Sequence, residues 1–341
     1  MLLAGDIGGT KTLLGLFARA PERPQAIEVG EFVTLDYDGL PPMIREFLKA
    51  RSLEPKRIEA ASFGVAGAIT EQVARLTNVP WLVDGAQVSA TAGLRHVHIL
   101  NDLQSMAYAV PVLEGDELAI LQHGVAQPNG NAAVIAAGTG LGEALLHNID
   151  GRFVPSASEG GHADWAARTP REIEMLQALT RNYGRVSVEH ILSGPGLVNI
   201  YQFTHDAFGG STEFISPAAR VPRRLCEGVG RVDDVADLPP AISRSAMDGR
   251  CSCCREALDL FATAYGAEAG NLALRSVATA GVYVGGGIAP KILPVLQSGG
   301  FMDAFLSKAP LRDVVATIPV SVILNPEAGL LGAAVHANTA A

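Results

Sequence analysis

The sequence predicts an α/β protein of two domains, on three observations. Short apolar runs alternate along the chain with segments that are apolar at helical spacing. Two of those runs fold back through glycine-and-threonine turns, Gly8-Gly9-Thr10 and Gly138-Thr139-Gly140. The chain has 341 residues, 48% hydrophobic with 37 glycines, enough to bury a large core and divide in two.

Taken in order, Leu2-Leu3-Ala4 and Thr12-Leu13-Leu14-Gly15-Leu16-Phe17 read as strands flanking Asp6-Ile7-Gly8-Gly9-Thr10-Lys11. Pro41 to Ala50 carries Met43, Ile44, Phe47 and Leu48 at helical spacing. Arg57 to Val65 reads as a strand and Val88 to Leu94 as a short helix. Val97-His98-Ile99-Leu100 is a strand that ends at Asn101-Asp102, and Leu103 to Val110 is helical. A second strand–turn–strand unit begins at Ala132-Ala133-Val134-Ile135-Ala136-Ala137 and passes through Gly138-Thr139-Gly140-Leu141-Gly142 to Leu146. Pro170 to Tyr183 is amphipathic, with Ile173, Leu176 and Leu179 on one face. Asp206 to Gly249, rich in Pro, Gly and charge, is either a helical surface subdomain or a set of loops. Arg255 to Ala278 is a long helix apolar on several sides. Val282-Tyr283-Val284 is a strand leading into the turn Gly285-Gly286-Gly287-Ile288, and Pro326 to Ala337 is a closing helix.

The glycine turns point to anion binding. Glycine lets a ligand approach the backbone closely, and successive bare N–H groups form a concave site for a phosphate. Asp6 beside the first turn repels a phosphate directly, whereas a phosphate-bound Mg2+ reconciles the two. Neither turn is a P-loop, since no Gly-Lys-Ser/Thr opens a helix. A sugar site is the second expectation. Asp102 lies one residue past a strand beside Asn101, where an amide and a carboxylate reach adjacent hydroxyls; the plain alternative is that the pair caps the next helix. Ser158-Glu159-Gly160-Gly161-His162-Ala163-Asp164 sets a carboxylate and an imidazole three residues apart around two glycines, which is not a packing pattern. Glu189 comes early in Val186-Ser187-Val188-Glu189-His190-Ile191-Leu192-Ser193, which is expected to stop at Gly194-Pro195-Gly196. Lys11 is either a phosphate ligand or a solvated side chain.

The two hairpins in this order resemble the actin-like, sugar-kinase superfamily, in which a nucleotide lies between two related α/β domains. Nearly the whole chain is similar to the bacterial hexokinase-type glucokinase family. The carrying stretches are Gly5-Asp6-Ile7-Gly8-Gly9-Thr10, Leu100-Asn101-Asp102, Ala137 to Gly142, Glu159-Gly160-Gly161-His162 and Leu192-Ser193-Gly194-Pro195-Gly196-Leu197-Val198-Asn199. Gly285-Gly286-Gly287-Ile288 and the stretch from Asn325-Pro326 to Gly332 complete the set. The resemblance implies a two-domain actin-like ATPase (ribonuclease H-like) fold with a nucleotide and sugar cleft between a small domain, 1–111 plus 325–341, and a large one, 112–324. It implies ATP-dependent phosphorylation of D-glucose at the 6-hydroxyl, feeding glycolysis. Asp102 is then the catalytic base, and Asn101, Asp102, Glu159, His162 and Glu189 contact the sugar. The nucleotide set is Gly5, Asp6, Ile7, Gly8, Gly9, Thr10, Gly138, Thr139, Gly140, Gly286 and Gly287, with the third turn against the adenosine. ATP and Mg2+ are the implied cofactors, the Mg2+ held by phosphates and water near Asp6 with no side chain as a direct metal ligand. A cytoplasmic homodimer is implied as well. The alternatives are a kinase for another hexose or a non-catalytic sugar- or nucleotide-binding regulator; the base, both phosphate turns and the sugar cluster together argue against the regulator.

Composition excludes other classes. Net charge is −9 with the basic residues scattered, which argues against a nucleic-acid partner. The apolar runs are broken well before membrane-spanning length, and no signal peptide precedes the first strand. Cys226, Cys251, Cys253 and Cys254 are the only cysteines. No histidine lies close to them in sequence, so they are expected to be reduced structural thiols near a helix start rather than zinc ligands. The zinc motif Cys-x-Cys-Gly-x4-Cys of the related repressor/open-reading-frame/kinase family is absent, as is an N-terminal DNA-binding helix-turn-helix. The sequence also departs from typical glucokinases at Ala163-Asp164-Trp165.

Overall fold

The computed structural model describes residues 1–67, 69–76, 79–205 and 225–341. The strands, in chain order, are β1 (Leu2–Ile7), β2 (Lys11–Ala18), β3 (Gln25–Val33), β4 (Ala60–Val65), β5 (Ile69–Thr70), β6 (Val73–Arg75) and β7 (Leu82–Asp84). They continue with β8 (Val97–Asn101), β9 (Leu118–Gln122), β10 (Ala132–Ala137), β11 (Leu141–Ile149), β12 (Arg152–Ser158), β13 (Gly281–Gly285) and β14 (Val320–Ile323). The helices are α1 (Leu40–Ala50), α2 (Gly85–Ala92), α3 (Asp102–Ala109), α4 (Pro170–Tyr183), α5 (Gly194–Thr204) and α6 (Leu238–Met247). After them come α7 (Ser252–Ser276), α8 (Leu293–Leu296), α9 (Gly300–Leu306), α10 (Arg312–Val315) and α11 (Ala328–Ala340).

Two compact units divide the chain. The first holds residues 1–118, 144–157 and 325–341, and the second holds 119–143 and 158–324. The sequence reading drew its line at 111/112 and kept 144–157 with the larger part.

In the first unit five strands run in the order β3-β2-β1-β4-β8. β1, β2 and β3 form an antiparallel meander, while β1, β4 and β8 are parallel. Successive side chains of a strand face opposite ways, and β1 uses both faces. Leu3 and Ile7 join Leu14, Met43, Ile44, Phe47 and Phe63 under α1 and α2. Leu2 and Ala4 pack with Phe17, Leu330, Ala333, Ala334 and Ala337 of α11. The small residues of α11 allow a close approach: a Cβ on Gly332 would run into the carbonyl of Ser105 in α3, and Ser105 Oγ donates to Gly329 O at 2.9 Å.

The second unit centres on β10, β13 and β14, which lie side by side and parallel, with Ala136 opposite Gly285. α7 is buried along most of its length, as expected for a helix apolar on several sides. Gly266 and Gly270 let it press against the backbone of Phe301 and Phe305 in α9. α4 spans the predicted residues because Thr169 caps it by accepting from Glu172 N, Pro170 opens it, and Gly184 closes it at φ 71°. Its buried face matches the predicted one only at Leu179. Ile173 is exposed and Leu176 half-buried, whereas Glu172, Met175, Ala178 and Leu179 are buried. Glu172 can be buried because Arg168 donates to it from both its backbone N–H and its guanidinium. Gly194-Pro195-Gly196 opens α5 instead of stopping a helix, with Ser193 accepting from Gly196 N. Of the ambiguous stretch 206–249, residues 206–224 lie outside the described residues, and α6 is a helix. Among the described residues no helix is long and apolar enough to cross a membrane.

Candidate active site

Each unit carries its own share of the predicted residues. In the first unit the turn Gly8-Gly9-Thr10 joins β1 to β2. Gly8 N donates to Lys11 O at 3.0 Å, and Thr34 braces the turn by donating from Oγ1 to Gly8 O at 2.9 Å and from N to Thr10 O at 3.0 Å. Sequence reasoning passed over Thr34, which is 22 residues from its hydroxyl partner Thr12. Lys11 pairs with Glu31 at 2.5 Å on the exposed side of the hairpin, which favours the solvated reading of that lysine.

Asp6 is the penultimate residue of β1, near this turn, and faces the start of α11, where a Cβ on Gly329 would stand 2.7 Å from its Oδ2. Burial raises the Asp6 carboxyl from 3.8 to about 6, with Lys11 opposing the rise. Asp6 and Leu100 are both register partners of Gly64 in β4, which puts Asp6 and the end of β8 two strand spacings apart, about 10 Å between backbones. Asn101 caps α3: its Oδ1 accepts from Leu103 N at 3.0 Å and Gln104 N at 3.2 Å. Capping is thus a real role of Asn101, and its Nδ2 donates to Gly67 O. Asp102 is the first residue of α3, with Oδ1 accepting from Leu103 N at 2.9 Å. A Cβ on Gly64 would strike Ser105, so this glycine gives the first turn of α3 its place over β4. Capping and binding do not exclude each other here. The cap fixes the backbone, and Asp102 stays half-buried at the carboxyl end of parallel strands, where α/β folds bind ligands.

The second unit brings Glu159, His162 and Glu189 into one frame. A short turn, Gly160–His162, sets Glu159 Oε2 3.8 Å from His162 Nε2, with both side chains about 60% exposed. Glu189 N donates to Gly161 O at 2.9 Å, and Val188 N donates to Ala163 O at 2.9 Å. Glu189 Oε2 then accepts from Leu141 N at 2.8 Å, within the second glycine turn. Gly140 makes room for that carboxylate, since a Cβ there would lie 2.5 Å from Oε2. The turn itself closes through Gly138 N to Gly140 O at 2.8 Å, and Gly194 N at the start of α5 donates to Gly138 O at 2.8 Å.

The third turn lies against the second. β10 and β13 are neighbours, Gly286 has φ 81°, and a Cβ there would collide with Ala137 O. One buried hydroxyl joins the two turns: Tyr265 Oη accepts from Ala137 N at 3.0 Å and faces the carbonyls of Ile135 and Gly285, each at 3.3 Å. No local pattern in the sequence marks Tyr265, which sits inside a long helix remote from both turns. Glu143 was also passed over. It is 1% exposed beneath Gly160, and its Oε1 has no hydrogen-bond partner. Burial pushes its carboxyl up from 4.5 to about 7, with Glu268 adding to the rise and Arg275 opposing it.

Comparison with known proteins gives the family and the fold. The sequence profile of the Glucokinase family matches residues 3–340. The chain is 39% identical over 342 residues to the glucokinase of Nostoc punctiforme, covering 99% of this chain and 98% of that one. A crystal structure of glucokinase from an Antarctic psychrotroph superposes with a TM-score of 0.81 at 27% identity, covering 99% and 98% of the two chains. The ROK family glucokinase of Streptomyces griseus, solved with glucose and AMPPNP, has a TM-score of 0.63 at 19% identity over 99% of both chains, and shares the fold. The architecture is the two-domain actin-like ATPase fold. With a family profile matched almost end to end, the chain belongs to the glucokinase family.

Proposed function

We propose that this chain transfers the γ-phosphoryl group of ATP to the 6-hydroxyl of D-glucose. The observation that carries the reading is the Glu189 carboxylate. It is anchored by a backbone N–H of the second glycine turn, while its own N–H is anchored to the Glu159-Gly160-Gly161-His162 turn. This supports the reading, because the proposed sugar groups and the proposed phosphate turn are hydrogen-bonded to each other.

Phosphoryl transfer has a loose transition state with its charge on peripheral oxygens, so catalysis is mainly positioning and charge stabilisation. Glu159 and Glu189 accept from sugar hydroxyls, and His162 either donates or accepts. Asp102 takes the proton from the 6-hydroxyl as that oxygen attacks, aided by the fixed N-terminus of α3. The N–H groups of Gly8-Gly9-Thr10 and Gly138-Thr139-Gly140 donate to phosphate oxygens from their respective units. A Mg2+ bound with the nucleotide would supply neutralisation of phosphate charge. The oxygen donors of Asp6 suit such a hard cation, directly or through water. Water competes with glucose as nucleophile, and a site completed only when sugar binds excludes it, so ATPase activity without sugar is expected far below the kinase rate. A cytoplasmic homodimer belongs to the same reading and rests on the family resemblance; sedimentation of the purified chain tests the dimer.

The experiment is a coupled assay with MgATP and a panel of hexoses, on the wild type and on Asp102→Ala. Glucose-dependent formation of glucose 6-phosphate is expected, with kcat falling about 10²–10⁴-fold in the variant while glucose still binds. Turnover within a few-fold of wild type in Asp102→Ala would remove the base assignment. Turnover on a different hexose alone would overturn the substrate.

A further inference from the structure

The four thiols were expected to be structural, on the ground that no histidine stood near them in sequence. The fold supplies one. His205, at the C-terminal end of α5, meets Cys226, Cys251 and Cys254, and their four ligand atoms all lie within 4.8 Å of one another. We propose that these four residues form a structural Zn2+ site in the second unit.

Three of the six separations are close to those of a tetrahedron. With Zn–S near 2.3 Å and Zn–N near 2.0–2.1 Å, a tetrahedral site sets sulfurs about 3.8 Å apart and a sulfur about 3.6 Å from a nitrogen. Cys226 Sγ and Cys254 Sγ are 3.7 Å apart. His205 Nε2 is 3.4 Å from Cys251 Sγ and 4.0 Å from Cys254 Sγ. Those three edges need shifts of about 0.4 Å or less to reach the tetrahedral values, and every remaining edge is within 4.8 Å.

The histidine is oriented for the task. Its Nδ1 lies 2.8 Å from the Tyr201 carbonyl, a partner that can only accept, so the ring proton belongs on Nδ1 and the lone pair of Nε2 faces the sulfurs. Metal-bound histidines are held this way, by a carbonyl or carboxylate on the far nitrogen. The same tyrosine holds two of the ligands. Its ring lies over His205 with centroids 4.0 Å apart, and its Oη accepts from Cys226 N at 3.0 Å. Cys251 and Cys254 form a Cys-x2-Cys pair, Cys251 as the N-cap residue of α7 and Cys254 in its first turn. The positive end of a helix favours thiolates there. Cys253 lies inside the same run but outside the ligand set.

Chemistry selects the ion. Three thiolates and an imidazole suit Zn2+ and not the hard Mg2+ that accompanies ATP. Four protein ligands leave no open position, which marks a structural centre. Each thiol gives its proton to solvent as its sulfur binds, so affinity rises with pH. The centre would pin the end of α5 at His205, about 16 Å along the helix from Gly194, which is hydrogen-bonded to the second glycine turn.

The test is metal content and spectroscopy on the full chain, independent of kinase activity. Protein purified with reductant and without chelator is expected to hold about one zinc per chain. Chelator-stripped, reduced protein titrated with Co2+ is expected to develop the visible absorption of tetrahedral cobalt and thiolate-to-cobalt charge transfer, saturating at about one equivalent. Cys226→Ser and Cys254→Ser are each expected to lower the retained zinc at least tenfold, and Cys253→Ser to leave it unchanged. Wild-type protein that takes up neither ion stoichiometrically would overturn the site, and that result needs no variant to fold. A Cys226–Cys254 disulfide in thiol-labelled protein from fresh lysate would overturn it too. Equal loss of zinc in Cys253→Ser and Cys254→Ser would refute the ligand set.

Discussion

Glu143→Gln exchanges a buried carboxyl for an isosteric amide and makes stability depend on pH in a calculable way. The carboxyl is 1% exposed, one oxygen has no hydrogen-bond partner, and burial lifts it from 4.5 to about 7. A rise of that size is worth about 3 kcal/mol between the two protonation states. The native state holds the proton more tightly than the unfolded chain. Its advantage is complete below 4.5, declines as pH rises, and is gone above about 7, where a buried charge must be carried. The amide carries no charge at any pH. Urea unfolding of both proteins at pH 5 and pH 8 is the assay. The variant is expected to equal or fall below wild type at pH 5 and to gain up to about 3 kcal/mol on it at pH 8. A variant–wild-type difference that is the same at both pH values would refute the reasoning.

Three further outcomes follow from the site. Gly140→Ala places a Cβ 2.5 Å from Glu189 Oε2 and pushes the carboxylate off Leu141 N. Losing a hydrogen bond to a charged group costs about 1.5–3 kcal/mol, so KM for glucose is expected to rise roughly 10- to 100-fold, and an unchanged KM would contradict it. Because the Asp6 carboxyl is raised to about 6, kcat/KM for MgATP is expected to fall as pH drops through that value in wild type. Asp6→Asn should lower activity and abolish that acid limb; a limb that persists in the variant belongs to another group. Tyr265→Phe leaves the N–H of Ala137 unpaired in the core, at a cost of about 1–3 kcal/mol read as a lower urea midpoint, and equal stability would refute the bridge.

What was legible in the sequence was local. The turn at Gly8-Gly9-Thr10 showed because two strands and two glycines are adjacent, and α4 showed because Thr169, Pro170 and Gly184 mark its ends. The face of α4 was misread at Ile173 because a glutamate took the core position, made tolerable by Arg168 four residues earlier. Asn101 reads as a cap and Asp102 as a base from the same two letters; the cap is observed at α3, and the base is the role proposed for the residue that opens it. Tyr265 and His205 left no local signal. Their partners lie 20 to 130 residues away for Tyr265, and 46 and 49 residues away for the His205 contacts with Cys251 and Cys254. Such separations are closed only by packing of the parallel strands and of α5 on α7, and no periodicity reports them.

The hydroxyl of Tyr265 has a single hydrogen and two carbonyls in reach, one before each of the two glycine turns in the second unit. Whichever it chooses, it stays in place, because Ala137 N–H needs its oxygen. The two turns are thereby soldered into one body. Any motion that accompanies nucleotide capture must carry them together, with the hinge placed elsewhere in the chain. If the second turn meets the phosphates and the third the adenosine, as the family resemblance implies, those contacts would be made at a spacing set during folding, and a nucleotide with a differently spaced base and phosphate would fit them poorly.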